Sequence, residues 1–177
     1  MAETNTSGER VFISHARADA RRAVDVCAAL EAADGLACWI APRDIRGGQS
    51  WPEAVTSGIQ TSRVVVVLLS TASNESREVA REVELACRLQ KQVVPFRIQN
   101  VEPAGGLTFF LSSAQWVDGF RPPLQRSHDA LVREVCAALE LPPPEKVEVQ
   151  QAVVEVDLAD FESKRPRGLI ARLFEDR

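Results

Sequence analysis

The side chains able to do chemistry in this 177-residue chain are narrowed first by the motifs it lacks. Cys27, Cys38, Cys87 and Cys136 are scattered, with no C-x-x-C pair and no histidine at metal-ligand spacing. No structural zinc or redox motif is expected, and no metal is assigned. Cys27 and Cys136 fall among alanines and leucines in helical patterns, where a free cysteine is a small buried apolar residue. No G-x-G-x-x-G or Walker-type loop follows any strand-like run, which removes the usual dinucleotide and triphosphate cradles. No serine nucleophile sits on a strand-to-helix elbow with histidine and aspartate partners. His128 lies in a polar stretch before a helix and receives no role.

Carboxylate chemistry remains. Val79, Val83, Ala86 and Cys87 define the buried stripe of one helical pattern. Glu82, three residues after Val79 and four before Ala86, borders that stripe, and partial desolvation there favours a raised pKa. Glu84 lies off the stripe with Arg88 at i+4, a pairing typical of a solvated face. Glu78 shares the Glu82 face one turn earlier, and Arg81 is placed to pair with Glu78. On the helix pattern alone, Glu82 reads first as an ordinary surface acid and second as a functional one.

The elements that must position these groups alternate plainly. Strands are expected at Val11–Ser14, Leu36–Ile40, Arg63–Ser70, Gln92–Ile98 and Gln115–Val117, and helices over Asp19–Ala33, Pro52–Thr61, Ser76–Leu89 and Leu124–Leu139. The run Val64–Leu69 is continuous and mostly β-branched, as in a strand covered on both faces. The stretch holding Gly105 and Gly106 reads as a loop. Such alternation predicts an α/β fold, a flavodoxin-like doubly wound sheet of five parallel strands in the order 2-1-3-4-5 with helices on both faces. Ligands of such sheets bind beyond the carboxyl ends of the strands where the winding reverses. That rule selects Ser14, His15 and Arg17 after strand 1, the Ala41–Trp51 loop after strand 2, and Ser70–Glu82 after strand 3. A phosphoacceptor receiver needs acids at the ends of strands 1 and 3; the residues there are Ser14 and Ser70.

Composition excludes several classes. With 45% hydrophobic residues, 26% charged and 21 basic against 25 acidic side chains, the chain is too apolar and too mixed in sign for disorder. A net charge of −4 gives no electrostatic footprint for nucleic acid. No apolar run approaches the ~20 residues of a membrane helix, and Met1–Arg10 has no signal-peptide core. A soluble cytoplasmic protein with inert core thiols is the expectation. The length suits one domain with an appendage: a flexible N-terminus at 1–8, a domain at 9–140, and an extension at 141–177 opened by Pro142–Pro144. Within the extension, Val147–Leu158 reads as β-like, and one or two turns of amphipathic helix are expected at Arg167–Phe174. So few apolar anchors do not fold alone; the extension docks on the domain, contacts a partner or leads into something larger.

Four segments carry a resemblance. Val11-Phe12-Ile13-Ser14-His15 is similar to the first box of TIR (Toll and interleukin receptor homology) domains. Cys38–Ile45 followed by Gly47–Trp51 resembles the loop after the second strand of bacterial TIR domains. Arg81–Ala86 with Val93-Val94-Pro95 resembles their third helix and fourth strand, and Gln115–Asp118 their fifth strand. The resemblance spans about residues 9–140 in the family's order and spacing.

It implies one of two activities. Some TIR domains are non-enzymatic scaffolds that self-associate; others cleave the nicotinamide–ribose bond of NAD+ with one glutamate of the third helix, which aligns with Glu82. One carboxylate suffices because nicotinamide is a cationic pyridinium that leaves neutral, without the general acid that most glycosidases need. NAD+ is then the substrate and no cofactor is required. By position, Arg17 is a candidate for the pyrophosphate. Arg43 and Asp44 are candidates for ligand or neighbouring-protomer contact, and Trp51 either stacks on a base or packs on the sheet. Trp39 and Trp116 are expected within strands, in the core. Catalytic members often carry a tryptophan four residues before the glutamate; this chain has Glu78, which puts cyclisation in question. The expected partners are NAD+, further copies of the domain (a filament or other oligomer) and a fused or separate sensor domain. A role in bacterial immune or anti-phage defence follows from the same resemblance, and the tail after Pro144 is the expected assembly contact.

Overall fold

A computed structural model describes residues 9–33 and 35–142. The expectations for 1–8, for the strand-like and helical segments of the extension, and for an assembly contact after Pro144 lie outside those residues. Five parallel strands form one sheet: β1 (Glu9–Ser14), β2 (Leu36–Ile40), β3 (Val64–Leu69), β4 (Gln92–Arg97) and β5 (Val117–Asp118), in the order β2-β1-β3-β4-β5. This is the expected doubly wound, flavodoxin-like arrangement. Among the described residues, six α-helices connect and flank them: α1 (Ala20–Glu31), α2 (Trp51–Thr61), α3 (Thr71–Glu75), α4 (Arg77–Arg88), α5 (Gly106–Leu111) and α6 (Leu124–Ala138).

Strand alternation divides the core. Val11 and Ile13 of β1, Cys38 and Ile40 of β2, and Val64, Val66 and Leu68 of β3 pack with α1 and α6. Phe12, Trp39, Val65, Val67 and Leu69 face the other way, onto α2, α4 and α5. Every side chain of β3 is fully buried, because the strand has strands on both sides and helices on both faces. The period-2 rule then puts Ser14 on the Phe12 face, under α4. Register places Ser14 beside Val67 of β3, so the ends of β1 and β3 meet at one edge of the sheet.

Several local expectations shift. Thr71–Glu75, between the expected strand and helix, is a helical turn started by a reciprocal cap between Ser70 and Ser73. Gly106–Leu111, expected as a loop, is a short helix held by buried Leu107 and Leu111. The fifth strand is Val117–Asp118 rather than Gln115–Val117. Trp116 therefore lies outside the strand and is only half-buried; the Arg97 guanidinium covers its ring at 4.8 Å from the centroid. Trp39 is in the core as expected, stacked on Phe12 with ring centroids 4.9 Å apart. Cys87 is half-exposed, so the stripe of α4 is Val79, Val83 and Ala86.

Candidate active site

β1 ends in a fully buried serine, Ser14, and β3 is followed at once by another, Ser70; each serine holds a carboxylate. Ser14 Oγ donates to Glu82 Oε2 at 2.6 Å. Ser70 Oγ donates to Asp19 Oδ2 at 2.5 Å. A buried hydroxyl must place its proton somewhere, and in both cases the acceptor is an acid delivered by a helical segment. The positions that would carry acids in a phosphoacceptor fold thus carry serines, with the acids reaching them from outside the sheet.

Glu82 reaches Ser14 because α4 lies over the Phe12 face. Ser76 caps the helix by accepting from the Val79 amide, and buried Val79 and Val83 fix its rotation. Glu82 is consequently half-buried at the border of the packed stripe while Glu84 is exposed. Glu78, one turn earlier, is exposed and accepts from Ser76 Oγ at 3.1 Å.

Asp19 is a site residue that the sequence pattern missed. It occupies the N-cap position of α1, where an aspartate ordinarily caps the helix, but it makes no such hydrogen bond. Its carboxylate turns to Ser70 instead. A 3-10 turn, Arg17–Asp19, closed by the Asp19 amide on the Ala16 carbonyl, makes that possible. Burial holds the Asp19 carboxyl above its ordinary range, against the opposing pull of the Ser70 hydrogen bond and the Arg22 charge. The one available signal was that Ser70 falls at the expected ligand end and Asp19 just past the Ser14–Arg17 stretch assigned to it.

His15 follows Ser14 and is buried, with Nδ1 at 3.5 Å from the Ile13 carbonyl. Arg17 is exposed at the start of the 3-10 turn. Trp51 begins α2, half-buried, and packs against the core on the α4 side of the sheet. Ser14, His15, Arg17 and Glu82 therefore gather at the carboxyl ends of β1 and β3, as the switch-point rule requires.

Arg43 and Asp44 do not join them. The Arg43 guanidinium grips both oxygens of Glu31, at 3.0 and 2.9 Å, and donates to the Cys38 carbonyl at 2.6 Å. These partners lie on the α1 side of the sheet, opposite Glu82. Asp44 Oδ2 accepts from the Ile40 amide at 2.8 Å and from Arg43 Nε at 3.1 Å, which closes the turn after β2. The fold also gathers Cys27, Glu31 and Cys38, which no spacing motif announces; their ligating atoms lie within 4.8 Å of one another.

A sequence model described as TIR domain matches residues 11–140. No curated protein matches the chain. Among solved structures, it is similar to the TIR domain of the Toll-related receptor TRR-2 from Hydra magnipapillata, with 19% identity and a TM-score of 0.59 over 71% of this chain and 96% of that one. It is also similar to the TIR domains of the activated Roq1 resistosome, which directly recognises the pathogen effector XopQ, with 15% identity and a TM-score of 0.60 over 72% and 99% of the two chains. At such identities the likeness is one of fold. Among the described residues, no helix is long and apolar enough to cross a membrane.

Proposed function

This chain belongs to the TIR domain family, and from that premise we propose that it cleaves the nicotinamide–ribose bond of NAD+, with Glu82 as the catalytic carboxylate. The observation that carries this reading is the Ser14–Glu82 hydrogen bond at the carboxyl edge of the sheet. It holds one acid, on a rigid helix, where ligands of doubly wound sheets bind.

The chemistry asks little more of the protein. The C1′–nitrogen bond breaks with its electron pair going to the pyridinium, so nicotinamide departs neutral and the ribose is left as an oxocarbenium-like cation. A carboxylate near C1′ or hydrogen-bonded to the ribose hydroxyls stabilises that charge, and a pre-positioned one does so without reorganising. Water capture gives ADP-ribose and a proton; capture by an adenine nitrogen gives a cyclic ADP-ribose. Arg17 at the same edge is the candidate for the pyrophosphate, and the exposed part of Trp51 the candidate for stacking on a base. Self-association, in a filament or other oligomer joined to a fused or separate sensor, is the proposed activator in a cytoplasmic defence response. No cofactor is invoked.

Glu78 favours a second reading. Where NAD-cleaving relatives often carry an aromatic ring, this chain presents an exposed acid, which suits a non-enzymatic module that joins or caps TIR assemblies. Concentrated protein, with and without a crowding agent, is incubated with NAD+ and nicotinamide release is followed. The enzyme reading expects release that Glu82→Ala and Glu82→Gln abolish. Release unchanged in both folded variants overturns the Glu82 assignment, and no release under any clustering condition favours the assembly module.

A further inference from the structure

On the sheet face opposite Glu82, α1 and β2 bring together two thiols and a carboxylate. Cys27 and Glu31 stand one helical turn apart on α1, and Cys38 enters from β2. Their sulfur and oxygen atoms lie within 4.8 Å of one another. Two sulfurs and one carboxylate oxygen form a donor set suited to zinc, which takes cysteine and carboxylate ligands in tetrahedral geometry.

Three features mark this as more than neighbouring core thiols. Glu31 is already oriented, accepting from the Cys38 amide at 3.2 Å and from both terminal nitrogens of Arg43. Metal sites fix their ligands by outer contacts of this kind. The cluster also already attracts a cation, since the Arg43 guanidinium lies 3.2 Å from Cys27 Sγ as well as on Glu31. Finally, it has an open side: Glu31, Cys38 and Arg43 line a cleft of about 770 Å³.

We propose that Cys27, Glu31 and Cys38 form a site for one thiophilic divalent cation of the zinc class, completed by a water from the cleft, with Arg43 retained as the outer partner of Glu31. Charge bookkeeping supports it. With both thiols protonated, Glu31 and Arg43 cancel. Binding a divalent cation while Cys27 and Cys38 each release a proton to solvent leaves the sum unchanged, so no uncompensated charge is buried.

The test uses the full chain, freed of metal, titrated with Co²⁺ as a spectroscopic stand-in for Zn²⁺. The expected result is one Co²⁺ per chain with the visible spectrum of tetrahedral thiolate ligation, displaced by Zn²⁺. The spectrum is absent in Cys27→Ser and Cys38→Ser, is kept in a Cys87→Ser/Cys136→Ser double variant, and is at least about tenfold weaker in affinity in Glu31→Gln. No thiolate spectrum in the parent, or one that survives both Cys27→Ser and Cys38→Ser, overturns the proposal. A second measurement needs no variant: Zn²⁺ is expected to slow alkylation of Cys38 in the folded parent, read by peptide mass spectrometry. Alkylation of Cys38 at the same rate with and without Zn²⁺ also overturns the proposal.

Discussion

Ser14 Oγ lies 2.6 Å from Glu82 Oε2, a contact between residues 68 positions apart. It ties the end of a central strand to the middle of α4, and so fixes where the carboxylate stands relative to the sheet edge. The second serine–carboxylate pair, Ser70 with Asp19, does the same for the turn that leads into α1. Together they make the edge at β1 and β3 a set of short polar contacts on a rigid frame, which is what preorganised charge stabilisation needs.

Ser14→Ala removes the hydroxyl that aims Glu82. A hydrogen bond to a charged group contributes roughly 1.5–3 kcal/mol, and about 1.4 kcal/mol corresponds to a tenfold change in rate. With NAD+ cleavage as the assay, kcat is expected to fall about 10- to 100-fold while KM changes little. A folded Ser14→Ala protein with parental kcat contradicts a positioning role for this residue.

Asp19 gives a pH prediction whose sign follows from burial. Because its carboxyl is held above the ordinary value of 3.8, the folded protein binds that proton more tightly than the unfolded chain. Its contribution to stability is fully present below 3.8 and is lost as pH rises through the raised folded value. Asp19→Asn keeps an acceptor for Ser70 without ionising, so the parent should lose ground to this variant as pH climbs towards neutrality. Urea midpoints of both proteins across that range check it; parallel curves contradict it. Asp19→Ala, which leaves the buried Ser70 hydroxyl without this acceptor, should cost roughly 1–3 kcal/mol.

The sequence carried much of this architecture because its strongest patterns coincide with deep burial. Val64–Leu69 reads as a strand covered on both faces and is one. The helical stripe of Val79 and Val83 puts Glu82 at its border, and strand alternation from Phe12 aims Ser14 at the same face. Features that depend on distant partners were not legible. Asp19 looks like a helix cap until Ser70, 51 residues away, claims it. Arg43 and Asp44 sit in a ligand-end loop by position, yet their side chains bond to Cys27, Glu31, Cys38 and Ile40. The helix at Gly106–Leu111 rests on two buried leucines one turn apart, too short a pattern to register against its glycines.

Gly58 tests the packing beneath α2. A Cβ there would stand 2.7 Å from atoms of the Trp39 ring, and that ring is stacked on Phe12 with only 11° between their planes. The indole has little room to retreat, because it is wedged between β1 and α2. Gly58→Ala is expected to destabilise by roughly 1–3 kcal/mol through overpacking, with a change in tryptophan near-ultraviolet circular dichroism. A variant with parental stability and spectrum would show that the ring can move.

Arg43→Lys tests what holds the loop after β2. The arginine spans both Glu31 oxygens and the Cys38 carbonyl, and a lysine ammonium cannot reproduce that fork. The side chains of Arg43 and Glu31 are 38% and 37% exposed, so solvent screening trims the ion pair's share. A net loss of about 1 kcal/mol is expected, equivalent to a melting-temperature drop of roughly 2–4 °C for a chain this size. The local effect should be larger than the global one. The Asp44 amide, bonded to the Ile40 carbonyl at 3.1 Å, and the Ile45 amide, bonded to Pro42 at 3.1 Å, should exchange hydrogen faster in Arg43→Lys, while amides of β3 keep parental protection. Unchanged exchange at Asp44 and Ile45 would mean that the Asp44 carboxylate on the Ile40 amide holds the turn without Arg43.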